Sequence, residues 1–334
     1  MQTNKEIAQK STMYWTKPLS DLILTVDSIT LMIGLPTNLL ALYTFIWKIK
    51  RRAMPLDVLL LSLTISDLLV LIFLPIRMKE AADMKWTLSY FMCPLMGYVI
   101  YTTIYNSTLL LTAISVERYL GVAFPIKYKP TRNPRNAVIA VVLFWVTTMA
   151  HCSFVYIVQQ YETNNDTHPE PMNRDSCHTM FNDKQLKIIL PFRLELFIVL
   201  FCIPFIICSF CYIKFILILS QLPKFNPKKR CRAIGLAVVT FLVFIICFMP
   251  FNVSHLVNFI VSSIPSWRVY TLLPSTFNAC LDPFIFYFSS SALRQTFTQF
   301  TRGLINRLQV FCFWRLFKCS TVRERLQNSS NISQ

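Results

Sequence analysis

The chain has 334 residues, of which 54% are hydrophobic and only 15% charged. A soluble domain of that composition would need an unusually apolar core, so these figures place the chain in a bilayer instead. The net charge of +17 is spread among loops, which reads as affinity for anionic lipid and speaks against a nucleic-acid partner.

Residues 1–21 hold Lys5, Glu6, Lys10, Lys17 and Asp21 and lack the apolar stretch of a cleaved signal peptide. They read as an extracellular N-terminus, with the first span serving as insertion signal. Apolar runs of about 20 residues or more, enough to cross a hydrocarbon core, follow at Leu22 to Trp47, Leu56 to Ile76, Leu95 to Ala123, Ala137 to Val158, Ile188 to Leu219, Ala233 to Val261 and Val269 to Phe288. The expected fold is all-α, a seven-transmembrane helix bundle over residues 22–288. Pro204, Pro250 and Pro283 sit inside the runs and only five glycines occur in the chain, which fits kinked helices and excludes a barrel.

Lys and Arg crowd alternate loops: Lys48 to Arg52, Lys127 to Arg135, Lys224 to Arg232, and the tail after Arg294. These segments face the cytoplasm by the positive-inside rule, so the chain is expected to be a multi-pass plasma-membrane protein with its C-terminus inside. After span seven, Leu293, Phe297, Phe300, Leu304 and Leu308 recur at helical spacing. Residues 289–308 therefore form a short membrane-surface helix, followed by a cytoplasmic tail, 309–334. Cys312 and Cys319, in an aromatic and basic stretch of that tail, are palmitoylation candidates. Tail serines and Thr321 offer phosphorylation sites for arrestin.

Of eleven cysteines, Cys93 and Cys177 fall on the oxidising outer side, so one disulfide should join them and pin the long outer loop. Cysteines within spans, Cys152 among them, read as small packing residues. Asn165 in the outer loop is the expected glycosylation acceptor.

Polar residues within spans are costly and are functional candidates. They lie at two depths. Asn38, Asp67, Ser107, Asn278 and Asp282 form an oxygen-rich inner set suited to a monovalent cation; no other metal or cofactor is expected. His151, Arg193, His255 and Arg268 fall at one outer level, where they would make a strongly positive cavity. Each could be bland alone, since an arginine at a span end snorkels, but four cationic or imidazole groups at one depth point to capture of an anion. Guanidinium forks hold a carboxylate bidentately.

The residues also carry a resemblance. Leu35-Pro36-Thr37-Asn38-Leu39-Leu40, Asp67, Cys93, Glu117-Arg118-Tyr119, Trp145, Pro204, Cys247-Phe248-Met249-Pro250 and Asp282-Pro283 resemble, span by span, the rhodopsin-like G-protein-coupled receptors. That resemblance implies a ligand-gated switch, with Arg118 held by Glu117 at rest, a sodium site at Asp67, Ser107, Asn278 and Asp282, and span six swinging outward to admit a G protein. Phe248 stands where most such receptors have Trp, and Phe286 where most have Tyr. Pro191-Phe192-Arg193-Leu194-Glu195-Leu196, Asn252-Val253-Ser254-His255, Ser266-Trp267-Arg268 and Ala150-His151-Cys152 are similar to the short-chain free fatty acid receptors. In that family the matching arginines and histidine, here Arg193, Arg268 and His255, anchor a carboxylate, and positions matching His151 and Tyr101 shape chain-length preference. Phe251 replaces a pocket Tyr. The resemblance implies acetate, propionate or butyrate as ligand, with signalling through inhibitory and also phospholipase-coupled G proteins.

Other readings remain. Another small carboxylate, such as a hydroxycarboxylate or a longer fatty acid, would suit the same anchors. An organic-anion transporter would need an internal repeat with paired broken helices, and an enzyme a nucleophile with its base; neither pattern is visible.

Overall fold

The computed structural model describes residues 15–89, 91–161, 177, 183–222, 226–289, 293–299 and 302. Among them the chain is helical and contains no strand. Span one is Lys17–Arg51, span two Pro55–Asp83, span three Met92–Ala123 and span four Pro134–Tyr161. Span five is built from Asp183–Phe197, a π-turn at Ile198–Cys202 and Ile203–Gln221; span six is Pro227–Val261 and span seven Arg268–Ser289. A short helix, Pro125–Thr131, follows span three. All seven apolar runs thus lie on helices.

Six of these helices are long and apolar enough to cross a membrane. Span seven, with 22 residues, reaches about 33 Å at the helical rise per residue. It is the more polar because its neighbours bury Ser275, Thr276, Asn278 and Asp282. Large apolar side chains such as Ile206, Ile246 and Val146 are exposed on the outside. A bundle with an apolar exterior and polar interior is a multi-pass membrane protein.

Local chemistry sets the helix limits. Thr16 caps span one by accepting from Leu19 N–H, and Asn226 caps span six by accepting from the Lys228 and Lys229 amides. Proline stands in the first turn of spans one, two and six, where its missing N–H costs nothing. Spans two and six stop at Met84 and Ser262, each in the left-handed region. Hydroxyls inside the spans return to the backbone: Thr64, Thr108 and Thr112 each donate to the carbonyl four residues earlier. The π-turn in span five ends two residues before Pro204, which has no N–H to complete a regular ladder.

The helices run further than the apolar runs foretell, most notably in spans one and two. Span one starts at Lys17 rather than Leu22, and span two passes Ile76 to end at Asp83. The second extension matters because Arg77 and Glu80 are then buried helix residues. Spans one, two and seven meet at Gly34, where a Cβ would sit 3.1 Å from a Leu71 methyl and 3.3 Å from the Ala279 carbonyl. One turn on, the Asn38 amide donates to the Ala279 carbonyl at 2.7 Å. Leu19, Ile23, Ala81 and Leu273 make one buried cluster, and Val70, Leu71, Leu74 and Ala279 another.

The expected disulfide is present, joining Cys93 at the start of span three to Cys177, with a Cα–Cα distance of 5.6 Å. It marks one end of the bundle; Glu117 and Arg118 mark the other. The bundle closes at Ser289, and the following unit is separate. There residues 293–299 are helical, with the Thr298 hydroxyl donating to the Arg294 carbonyl. Residues 303–308, Cys312, Cys319, the tail and Asn165 lie outside the described residues.

Candidate functional site

Below the disulfide end, Tyr101 and Tyr105 of span three, Cys152 and Val155 of span four, Arg193 and Leu196 of span five, Phe251 and His255 of span six and Arg268 of span seven line one cavity. Its free volume is about 20 Å³, counted as room for the centre of a water-sized sphere, which suits one or two small groups. Arg193, Arg268 and His255 are only 3%, 8% and 2% exposed.

Arg268 sits where the bundle cannot easily neutralise it. Arg268 is the first residue of span seven, so the partial positive charge of the helix start adds to the guanidinium. Its charge faces the Phe251 ring at 5.1 Å and the Tyr101 ring at 5.9 Å. Those two rings stack on each other at 5.6 Å. No carboxylate among the described residues lies within ion-pair distance of Arg268, and its Nε has no hydrogen-bond partner there. The His255 ring lies edge-on to Phe251, with Nε2 3.0 Å from the Tyr105 hydroxyl. With the phenol as donor to Nε2, the ring proton belongs on Nδ1, and Nδ1 is buried without a partner among the described residues. Two guanidinium groups and an imidazole N–H around one small space form a receptor for an anion with two oxygens.

Of the residues singled out from the sequence, Arg193, Arg268, His255, Tyr101 and Phe251 line this cavity; His151 does not. Its imidazole Nδ1 lies 3.4 Å from Glu195 Oε2, with both side chains partly exposed, and its ring stacks on Phe192. Tyr105, Cys152, Val155 and Leu196 were not anticipated.

Of the inner set, Asp67, Asn278 and Asp282 come together. Asp67 and Asp282 are buried in contact with each other, and Asn278 donates to Asp282 Oδ2 at 2.7 Å. Four oxygens, Asp67 Oδ2, Asp282 Oδ1, Asn38 Oδ1 and Asn278 Oδ1, have no hydrogen-bond partner among the described residues. Unpaired buried oxygens of this kind fit a monovalent cation. Ser107 is buried on span three beside Asn106, whose amide donates to the Ser66 hydroxyl at 2.7 Å.

At the far end, the ion pair of Glu117 is with Arg132, and the Tyr128 hydroxyl donates to its other oxygen. Burial, and then the bond to Glu117, push the Tyr128 phenol up to about 12, so it stays a donor at neutral pH. Arg118 instead reaches Thr240 of span six, 3.5 Å away. Glu117 is thus held by Tyr128 of the loop helix and by Arg132 just past its end. Tyr119 packs edge-on against Phe210 and Phe124. On span six, Thr240, Phe244, Phe248, Phe251 and His255 form one buried stripe at helical spacing. It runs from the cavity to Arg118. Phe248 packs on Phe244 at 5.7 Å, and buried Phe286 meets Phe45 edge-on at 5.7 Å beyond Pro283.

The profile of the 7 transmembrane receptor (rhodopsin family) matches residues 37–286. The chain belongs to that family. It is a receptor family and not one of enzymes. Among known proteins, the receptor is 44% identical to free fatty acid receptor 3 of Mus musculus over 300 residues, 90% of this chain and 89% of that one. It is 46% identical to free fatty acid receptor 2 of Mus musculus over 280 residues, 83% of this chain and 84% of the relative. It is also 45% identical to free fatty acid receptor 2 of Homo sapiens over 290 residues, 86% of this chain and 87% of the relative.

Proposed function

We propose that this receptor is gated by a short-chain fatty acid whose carboxylate bridges spans five and seven through Arg193 and Arg268 and accepts from His255 Nδ1–H. The observation that carries this reading is the burial of both guanidinium groups on one small cavity, beside an imidazole nitrogen that has no partner among the described residues. Burying two like charges side by side is expensive, and an anion between them offsets that cost. The relatives are named for free fatty acids, and a small cavity favours a short acid over a long chain.

Ligand binding shifts the bundle equilibrium only through a difference in affinity between its two states. Joining spans five and seven next to the stripe of span six gives the carboxylate that leverage. The response passes to a heterotrimeric G protein of the inhibitory class, at the plasma membrane, with the disulfide end outside and the Glu117 end inside. Asp67, Asp282, Asn38 and Asn278, with Ser107 nearby, hold a sodium ion that stabilises the resting bundle.

The deciding experiment is G-protein activation in cells expressing the receptor, titrated with acetate, propionate, butyrate and octanoate, beside Arg268→Ala. A saturable response to the short acids that disappears in a variant of normal surface expression is the expected result. Silence toward all four acids from an expressed receptor removes the reading.

A further inference from the structure

Cys152 is the feature of the cavity that anion binding leaves unused. It sits on span four, is 4% exposed overall, is not disulfide-bonded, and shares the cavity lining with Arg193, Arg268 and His255. The independent sign that a ligand enters here is the pair of buried donors with no partner among the described residues, Arg268 Nε and His255 Nδ1. A nucleophilic sulfur thus faces the same space of about 20 Å³ as the anion anchors.

We infer that Cys152 is a covalent capture site for short carboxylic acids that carry a conjugated carbon–carbon double bond. This rests on the carboxylate reading of the cavity. The anchored acid holds its β-carbon in the space that the thiol lines. The sulfur attacks that carbon, a carbon–sulfur bond forms, the π pair moves to the α-carbon, and the α-carbon takes the thiol proton. Nothing leaves and no oxidant is consumed. Anchoring converts a slow encounter into a reaction between groups already held together.

The signature is an inverted selectivity. In water a neutral conjugated amide alkylates thiols faster than the corresponding acid, because the carboxylate makes the alkene less electrophilic and repels thiolate. In this cavity the arginines reverse the order.

The full-length receptor in membranes is incubated with acrylate or acrylamide, with and without excess acetate, and adducts are quantified by peptide mass spectrometry. Cys152 should gain acrylate faster than acrylamide, its acrylate-to-acrylamide ratio exceeding that of Cys231 by roughly a hundredfold, about tenfold for each of the two guanidinium anchors. Acetate should suppress that labelling, and Arg268→Gln should reduce that excess about tenfold. Cys231, which is exposed at the start of span six, should show the solution order and serves as internal control. Should Arg268→Gln fail to reach the membrane, acetate protection of the unmodified receptor decides alone. A Cys152 that stays unlabelled, or follows the order of Cys231, in a receptor that still responds to acetate overturns the capture site and leaves the carboxylate reading standing. If acetate neither activates nor protects, both fall.

Discussion

Removal of the Arg77 guanidinium strikes a buried charge network away from the cavity. Arg77 Nε lies 3.5 Å from Asp27 Oδ2, with the two side chains 6% and 0% exposed. Arg77 also donates to the Thr276 hydroxyl of span seven at 3.4 Å. Glu80, one turn on, accepts the Cys177 amide at 2.8 Å and feels the same guanidinium. A single cation therefore serves two buried carboxylates and ties spans one, two and seven below the disulfide. Breaking a buried pair by removing one partner costs about 3–5 kcal/mol, and Arg77→Met should fall at the upper end because two acids are stranded. At about 2–4 °C per kcal/mol for a chain of this order of size, the apparent Tm of detergent-solubilised receptor should drop by roughly 10 °C or more. Asp27→Asn placed on Arg77→Met removes one stranded charge and should recover a large part of the loss, whereas Asp27→Asn alone destabilises. The assay is thermal unfolding of all four members of that cycle, followed by thiol-reactive dye and by surface expression. Equal stability of Arg77→Met and the unmodified receptor, or a double variant no better than Arg77→Met, would refute the argument.

The loop latch on Glu117 predicts that Glu117→Gln raises ligand-free activity. Losing charge-assisted bonds from Arg132 and Tyr128 is worth about 1.5–3 kcal/mol, or a tenfold or larger shift in the resting-to-active ratio. Basal nucleotide exchange on a G protein in membranes measures it, and unchanged basal exchange in Glu117→Gln and Arg132→Gln alike would exclude the latch. The oxygen cluster predicts that replacing potassium by sodium lowers basal activity and agonist affinity in the unmodified receptor. Asp67→Asn should lose that dependence; a variant as sodium-sensitive as its parent would remove the cation from Asp67.

How much is legible in the sequence depends on what kind of coordinate each feature needs. Depth is a count of residues along a helix, and Arg193, Arg268 and His255 can be placed at one level from the sequence because charge inside a span is rare and must be accounted for. Azimuth is different. Successive helix residues differ by about 100°, so rotating span four by one residue exchanges His151 and Cys152. Chemical grounds favour the imidazole and leave the thiol as packing. In the bundle, His151 turns to Glu195 and Cys152 faces the cavity. Nothing periodic in span four sets that rotation; it follows from how its neighbours pack. Asp27, Arg77 and Glu80 do carry a signal, one that a hydropathy reading passes over. Asp27 lies in an apolar run, and Arg77 and Glu80 continue the helical spacing of Leu74 beyond the point where hydropathy ends the span. The pairing of Glu117 with Arg132 has none, since it reaches 15 residues along the chain through a loop with no apolar pattern to fix its course. Charge within a span is thus readable as an obligation to find a partner, while the identity of the partner waits on helix rotation and loop path, which is why the anion anchors could be inferred and the thiol beside them could not.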